Sequence, residues 1–179
     1  AGVEPTGPPD PLDPPGGGNQ YSSKQLFDKW YELEKTRGNW WTVLPKCPKK
    51  LCLKDGEPVN PDDEKWKDPG KPSNAEELLH KGTDWSLRSK PVNGHSNQCT
   101  YEEIEGDADF VHLLTTPPGS GTVDYRKPGA NFSHYNHDVD PVFRAARADG
   151  QTISLGNGEL NATATVMKYY EVRPLWAED

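Results

Sequence analysis

Cysteine, methionine and long apolar runs are all scarce in this chain. Three cysteines and one methionine stand among 179 residues. No stretch approaches the ~18 apolar residues that a spanning helix requires, which removes a helical membrane span from consideration. Hydrophobic residues make up 32% of the sequence and the mean hydropathy is -0.93, so the core is small relative to the surface. Positive charge is short as well: 20 Lys and Arg against 28 Asp and Glu leave a formal charge of -8. A phosphate backbone would be repelled by such a surface, which argues against nucleic acid as a partner. A serine-hydrolase elbow, a Walker loop and a dinucleotide fingerprint are also missing. Cys47 and Cys52 are too far apart for a CxxC redox motif, and without a second cysteine pair a structural zinc lacks ligands. These gaps favour a protein that is not an enzyme and needs no cofactor.

What the chain does have is tryptophan, tyrosine, proline and glycine. Six Trp and seven Tyr bury a large area each and carry a polar atom that can meet a ligand. Residues 1–18 are dominated by Pro and Gly, which bury little and sustain no hydrogen-bond ladder. They predict a disordered or extended arm, leaving 19–179 as a single β-rich domain. The chain opens on Ala1 with neither an initiator Met nor an apolar signal core, which reads as a mature or trimmed form. Sequons at Asn131 and Asn161 would place glycans on surface loops of a secreted protein. Three cysteines give one disulfide and a free thiol. Cys47 or Cys52 would staple the Pro- and Lys-rich excursion over residues 45–72 to Cys99 or to a partner, and the pairing stays open.

Periodicity supplies the elements. Ser22 or Ser23 caps a helix whose stripe is Leu26, Phe27, Trp30, Tyr31 and Leu33, with Gly38 as its stop. Residues 39–44 are aromatic and β-branched and read as a strand. Ser73 and Glu76 form a capping box for a short helix over 75–81. Strands are expected over 83–87, 99–105, 109–115, 122–126, 151–155, 159–166 and on to 172, with turns at 91–96 and around Gly106-Asp107. Short strands at regular spacing predict an antiparallel sheet closed on itself, a barrel with a short N-terminal helix and long irregular loops.

Several of these stretches resemble the lipocalins, most nearly the salivary lipocalins of ticks. Gly38-Asn39-Trp40 after the helix is similar to the Gly-x-Trp pattern that opens a lipocalin barrel. The turn from Cys52 through Asp55-Gly56 to Pro58, and Lys81-Gly82-Thr83-Asp84-Trp85-Ser86 after it, resemble the tick members. Thr122-Val123-Asp124-Tyr125 resembles their Thr-Asp-Tyr signature with an insertion. The likeness covers mainly residues 20–90. The chain departs from it by ending in Arg173-Pro174-Leu175-Trp176 rather than a cysteine-bearing helix. The resemblance implies a secreted barrel that sequesters a biogenic amine, a lipid mediator or a host immune protein. It would place Trp40 at the closed end, with Trp85, Phe110, His112, Tyr125 and Tyr169 facing the cavity. Asp109, Asp124 or Glu171 would then pair with an amine, since a buried cation needs a counter-charge.

Two rival readings stand beside this one. The outer loops over 45–72 and 127–140 form a protein-binding surface without a ligand cavity. Alternatively, His134, His137 and Asp138 supply the imidazole and carboxylate ligands of a zinc or iron enzyme, although Pro141 directly after the cluster fits a turn equally well.

Overall fold

A reciprocal pair of caps and one apolar stripe set the first element, α1 (Ser23–Lys35). Ser22 Oγ accepts from the Gln25 backbone N–H at 3.2 Å and Gln25 Oε1 accepts from the Ser22 N–H at 2.8 Å, a capping box. Phe27, Trp30 and Glu34, at helical spacing, are the buried positions. The computed structural model describes residues 22–126, 138–153 and 159–179, with Ala75 by its backbone alone. The arm over 1–18, the sequon at Asn131, and His134 and His137 lie outside the described residues.

The strand expected over 39–44 is instead a 3₁₀ turn, Trp40–Val43. Asn39 O accepts from the Thr42 N–H and from Thr42 Oγ1 at 3.3 and 3.1 Å. A strand would send Trp40 and Trp41 to opposite faces; the tight turn leaves both half-buried, their rings 5.5 Å apart and edge-on.

Six strands form one antiparallel sheet curled into a half-barrel: β1 (Lys50–Lys54), β2 (Glu57–Pro58), β3 (Trp85–Arg88), β4 (Ser96–Glu103), β5 (Phe110–Leu113) and β6 (Thr122–Asp124). Their order is β2-β1-β5-β4-β3, and β6 joins β4. Along one edge β4 carries two partners: its first half pairs β6, with Ser96 opposite Asp124, and its second half pairs β5, with Tyr101 opposite Leu113. The β3–β4 hairpin turns at Asn93-Gly94, both with positive φ (53° and 83°). That combination matches the right-handed twist of the flanking strands. Among the described residues the terminal strands β2 and β3 do not pair with each other, so the closed barrel expected from the sequence is not what these pairings make.

The stretch over 45–72 is less of a loop than its composition indicates. It contains β1 and β2, and its later part lies along β3, with Lys67 N–H donating to Arg88 O and Gly70 exchanging two hydrogen bonds with Ser86. This covers an edge that would otherwise invite pairing with another chain. Its anchor is a disulfide between Cys47 and Cys99, while Cys52 is free and exposed. Asn97 adds a second tie, donating from Nδ2 to Pro45 O and Trp176 O, both at 2.9 Å.

The C-terminal third corrects the expectation of strands. Residues 151–153 and 159–163 have no regular structure. A helix, α4 (Ala164–Val172), takes the place of the last strand, and another, α3 (Asp140–Ala148), forms where no element was expected. Val166, Tyr169, Tyr170 and Val172 are the buried positions of α4, related by three- and four-residue spacing, so helical period outweighs the β-like composition of Val and Tyr. Asp149, directly after α3, accepts from the Thr165 N–H at 2.7 Å and from Thr165 Oγ1 at 2.6 Å. One carboxylate thus ends α3 and caps α4. Although burial works against the charge, hydrogen bonds from Thr163 and Thr165 hold the Asp149 pKa below its usual value.

The chain therefore has two apolar centres. One lies among the helices: Phe27 and Trp30 of α1 pack with Val142, Phe143, Val166 and Tyr169. The other covers one face of the sheet, where Leu51, Leu87, Cys99, Tyr101 and Val111 meet Trp66 and Leu175. Each large side chain removed from water in these centres contributes about 2–3 kcal/mol.

Candidate functional site

The sheet face turned away from its apolar centre is polar and yet largely buried. Residues directly opposite each other share a face, so the ladder makes a row Arg88–Gln98–Thr122 with Ser96–Asp124 beside it. Gln98, Thr100, Thr122 and Asp124 are all buried. A polar face on a one-layer sheet normally meets solvent. Here it is roofed by α2 (Asn74–Leu79) on one side and by α4 and the start of α3 on the other, and a cavity of about 310 Å³ lies between. From the sheet come Arg88, Gln98, Thr122 and Asp124; from α2 and its end, Ser73, Glu76, Leu79 and His80. Asp138, Val139 and Val142 close one end, and Tyr169 and Tyr170 another.

Close backbone approach holds this wall in place. A Cβ on Gly121 would lie 2.0 Å from Gln98 O, and one on Gly119 would lie 2.5 Å from Lys81 O. Only glycine lets the 116–121 loop press against both β4 and the end of α2. Thr100 Oγ1 donates to Gly119 O at 2.9 Å and fixes the same loop.

Three carboxylates line the cavity, and they are not equivalent. Asp124 accepts from Arg88 Nη1 at 2.5 Å, the same nitrogen donating to Ser96 Oγ at 2.7 Å. Asp138 accepts from Nε of the fully buried Arg173, whose Nη1 donates to Glu34 at 2.9 Å. Burial opposes the Arg173 charge, but Asp138 and Glu34 outweigh it and raise its pKa. The guanidinium also lies over Trp30 at 5.1 Å and Trp40 at 5.3 Å. Glu76 differs. Its carboxylate accepts from Gln98 Nε2 at 2.9 Å and from Ser73 Oγ at 3.3 Å, both neutral, and none of the described ion pairs includes it.

His80 and the tyrosines complete the wall. His80 Nδ1 lies 2.8 Å from Ser120 O; a carbonyl only accepts, so Nδ1 carries the proton. Burial lowers the ring's pKa against the opposing pull of Ser120, Asp124 and Glu76, which keeps it neutral. Burial likewise raises the phenols of Tyr169 and Tyr170, and they stay protonated.

Of the residues expected to face a cavity, the structure brings Tyr169 to this one. Trp85 lies on the opposite, apolar face, its Nε1–H donating to Glu103 at 2.9 Å. Cross-strand alternation puts it there, since Ser86 and Arg88 take the cavity side. Phe110 and His112 share the polar face but sit on β5, beyond the helical roof. The Lys50 ammonium lies 4.0 Å over the Phe110 ring, and His112 Nε2 is 2.6 Å from Asp107. Tyr125 belongs to a neighbouring aromatic group, 4.5 Å from His95 and 5.5 Å from Trp40, with its hydroxyl accepting from Arg37. Among the candidate counter-charges Asp124 lines the cavity, whereas Asp109 is exposed and Glu171, also exposed, accepts from Tyr31. Of the metal candidates, Asp138 is held by Arg173, and among the described residues no cluster of three metal-ligating side chains forms.

Sequence reasoning missed Glu76, His80, Arg88, Gln98 and Tyr170. The available signal was the alternation in β3 and β4, which separates Ser86, Arg88, Ser96, Gln98 and Thr100 from the apolar positions. It looked like an ordinary solvent face because nothing in the local sequence announces the helical roof. No family model, no curated protein and no solved structure matches this chain.

Proposed function

We propose that the chain is a secreted, lipocalin-like binding protein that sequesters one small organic cation of the biogenic-amine type in the cavity beneath α2. The observation that carries this is Glu76: of the three cavity carboxylates, it alone has no described ion pair. A monovalent ammonium would complete the local balance and gain a charge-assisted hydrogen bond. Tyr169 and Tyr170 add aromatic faces for a cation or a ring. At about 310 Å³ the cavity is at the small end of the ~300–1,000 Å³ usual for small-molecule sites. Walls carrying Arg88, Asp124 and Asp138 suit a compact polar ligand better than a long acyl chain, whose burial there would leave charges without water. The Cys47–Cys99 disulfide supports an oxidising compartment, and exposed Asn161 is accessible to glycosylation.

Isothermal titration calorimetry with tyramine, histamine and serotonin tests the reading. Saturable one-to-one binding is expected, weakened at least about tenfold in Glu76→Gln, the worth of one charged hydrogen bond. Absence of heat from every amine, with the protein folded, removes the proposal.

A further inference from the structure

His80 lies one helical turn beyond Glu76 on the same wall. The His80 N–H donates to Glu76 O at 2.7 Å and closes the last turn of α2, and both residues line the cavity. The residue is 6% exposed and lines the cavity. Its Nδ1–H is committed to Ser120 O, on a loop pinned by Gly119, Gly121 and Thr100. Neutral imidazole with the proton on Nδ1 has a lone pair on Nε2, and no described residue donates to that atom. Among the described residues Asn97 Oδ1 alone is a buried side-chain atom without a partner, so Nε2 is open to the cavity its ring lines, and this edge of the ring suits a ligand group that brings its own proton.

We infer that His80 Nε2 is the acceptor for a ring N–H or O–H of the ligand, so that the site selects small aromatic monoamines whose ring carries such a donor over amines whose ring is bare. The inference rests on the amine-binding reading above and names the ligand class within it. Glu76 takes the ammonium and His80 takes the ring donor. His80 here determines specificity rather than affinity for the charge. An ammonium offered to Glu76 alone would be bound by either class.

The test compares tyramine with phenethylamine and with the near-isosteric para-fluorophenethylamine, which has no donor on its ring. Calorimetry on the whole chain should show tyramine bound at least about tenfold tighter than either, since a site built around a hydrogen bond rejects the analogue lacking it. In His80→Asn the amide nitrogen can still donate to Ser120 O but nothing replaces Nε2, and the three amines should bind within about twofold of one another. In His80→Gln an acceptor returns near the Nε2 position and part of the preference should return. Equal binding of the three amines to the unaltered chain overturns the inference and leaves the amine reading standing. A preference that survives in His80→Asn also overturns it. If none of the amines binds the folded protein, the amine reading fails and this inference falls with it. Should His80→Asn not fold, the unaltered chain and His80→Gln decide the matter.

Discussion

Replacing Arg173 by methionine should be the most damaging single change away from the cavity wall. The guanidinium is fully buried, joins α4 to Glu34 of α1 and to Asp138, and lies over Trp30, Trp40 and Tyr125. Methionine matches much of its volume, so packing is largely kept and charge is what changes. Glu34 retains Arg37, 3.0 Å from its other oxygen, while Asp138 loses the buried guanidinium that donates to it. Removing one partner of a buried ion pair costs about 3–5 kcal/mol. With a urea dependence of about 2 kcal/mol per molar, the unfolding midpoint should fall by about 1.5–2.5 M. The assay is urea unfolding followed by tryptophan fluorescence. Arg173→Met combined with Glu34→Gln and Asp138→Asn should recover a large part of the loss, because exchanging a whole buried ionic group for neutral ones is far less costly than orphaning one member. A single variant within about 0.5 kcal/mol of the unaltered protein, the size of a typical surface substitution, would refute the view that this ion cluster ties the helical layer to the cavity end.

Three further expectations follow from the fold. Replacing Cys47 and Cys99 together by alanine opens a link of sequence separation 52; the chain-entropy estimate for such a loop is about 4 kcal/mol, readable as a lower urea midpoint, and an unchanged midpoint would contradict it. Gly121→Ala puts a methyl 2.0 Å from Gln98 O, so β6 must shift; stability should fall by about 2–4 kcal/mol and amine binding with it, and normal binding would show that the Asp124 wall tolerates displacement. Burial lowers the His80 pKa from its ordinary value of 6.5, so the unfolded chain takes up a proton near that pH before the folded one does. His80's contribution is complete above pH 6.5 and declines as pH falls below it; His80→Asn should flatten that part of the stability–pH curve, measured by urea unfolding at several pH values.

How much of this was legible in the sequence differs from element to element. The first helix was, because a serine cap and the stripe through Phe27 and Trp30 agree at every level from cap to core. Strands β3, β5 and β6 and the turn at Asn93-Gly94 were also readable, since each carries its own local signature of alternation or of residues that accept positive φ. The α4 helix was not: Val166, Tyr169 and Tyr170 have strand-forming composition, and only burial at helical spacing shows which period wins. Trp40-Trp41 failed for a related reason, a strand composition overridden by the cluster with His95 and Tyr125. Most of the cavity wall was hidden more deeply. Arg88, Gln98 and Asp124 look like residues on a solvated sheet face, and their burial depends on helices distant in sequence. Of the suggested cavity aromatics, Tyr169 lines the cavity because α4 points it inward. Trp85 was misplaced by one residue's worth of alternation, which sends a side chain to the other face.

The most direct test of the central claim is a crystal structure of the protein grown with tyramine. The account predicts density for one amine between α2 and the polar face of the sheet, with its nitrogen within hydrogen-bond distance of the Glu76 carboxylate. An amine bound elsewhere, or a cavity closed by side chains with no ligand inside, would contradict it.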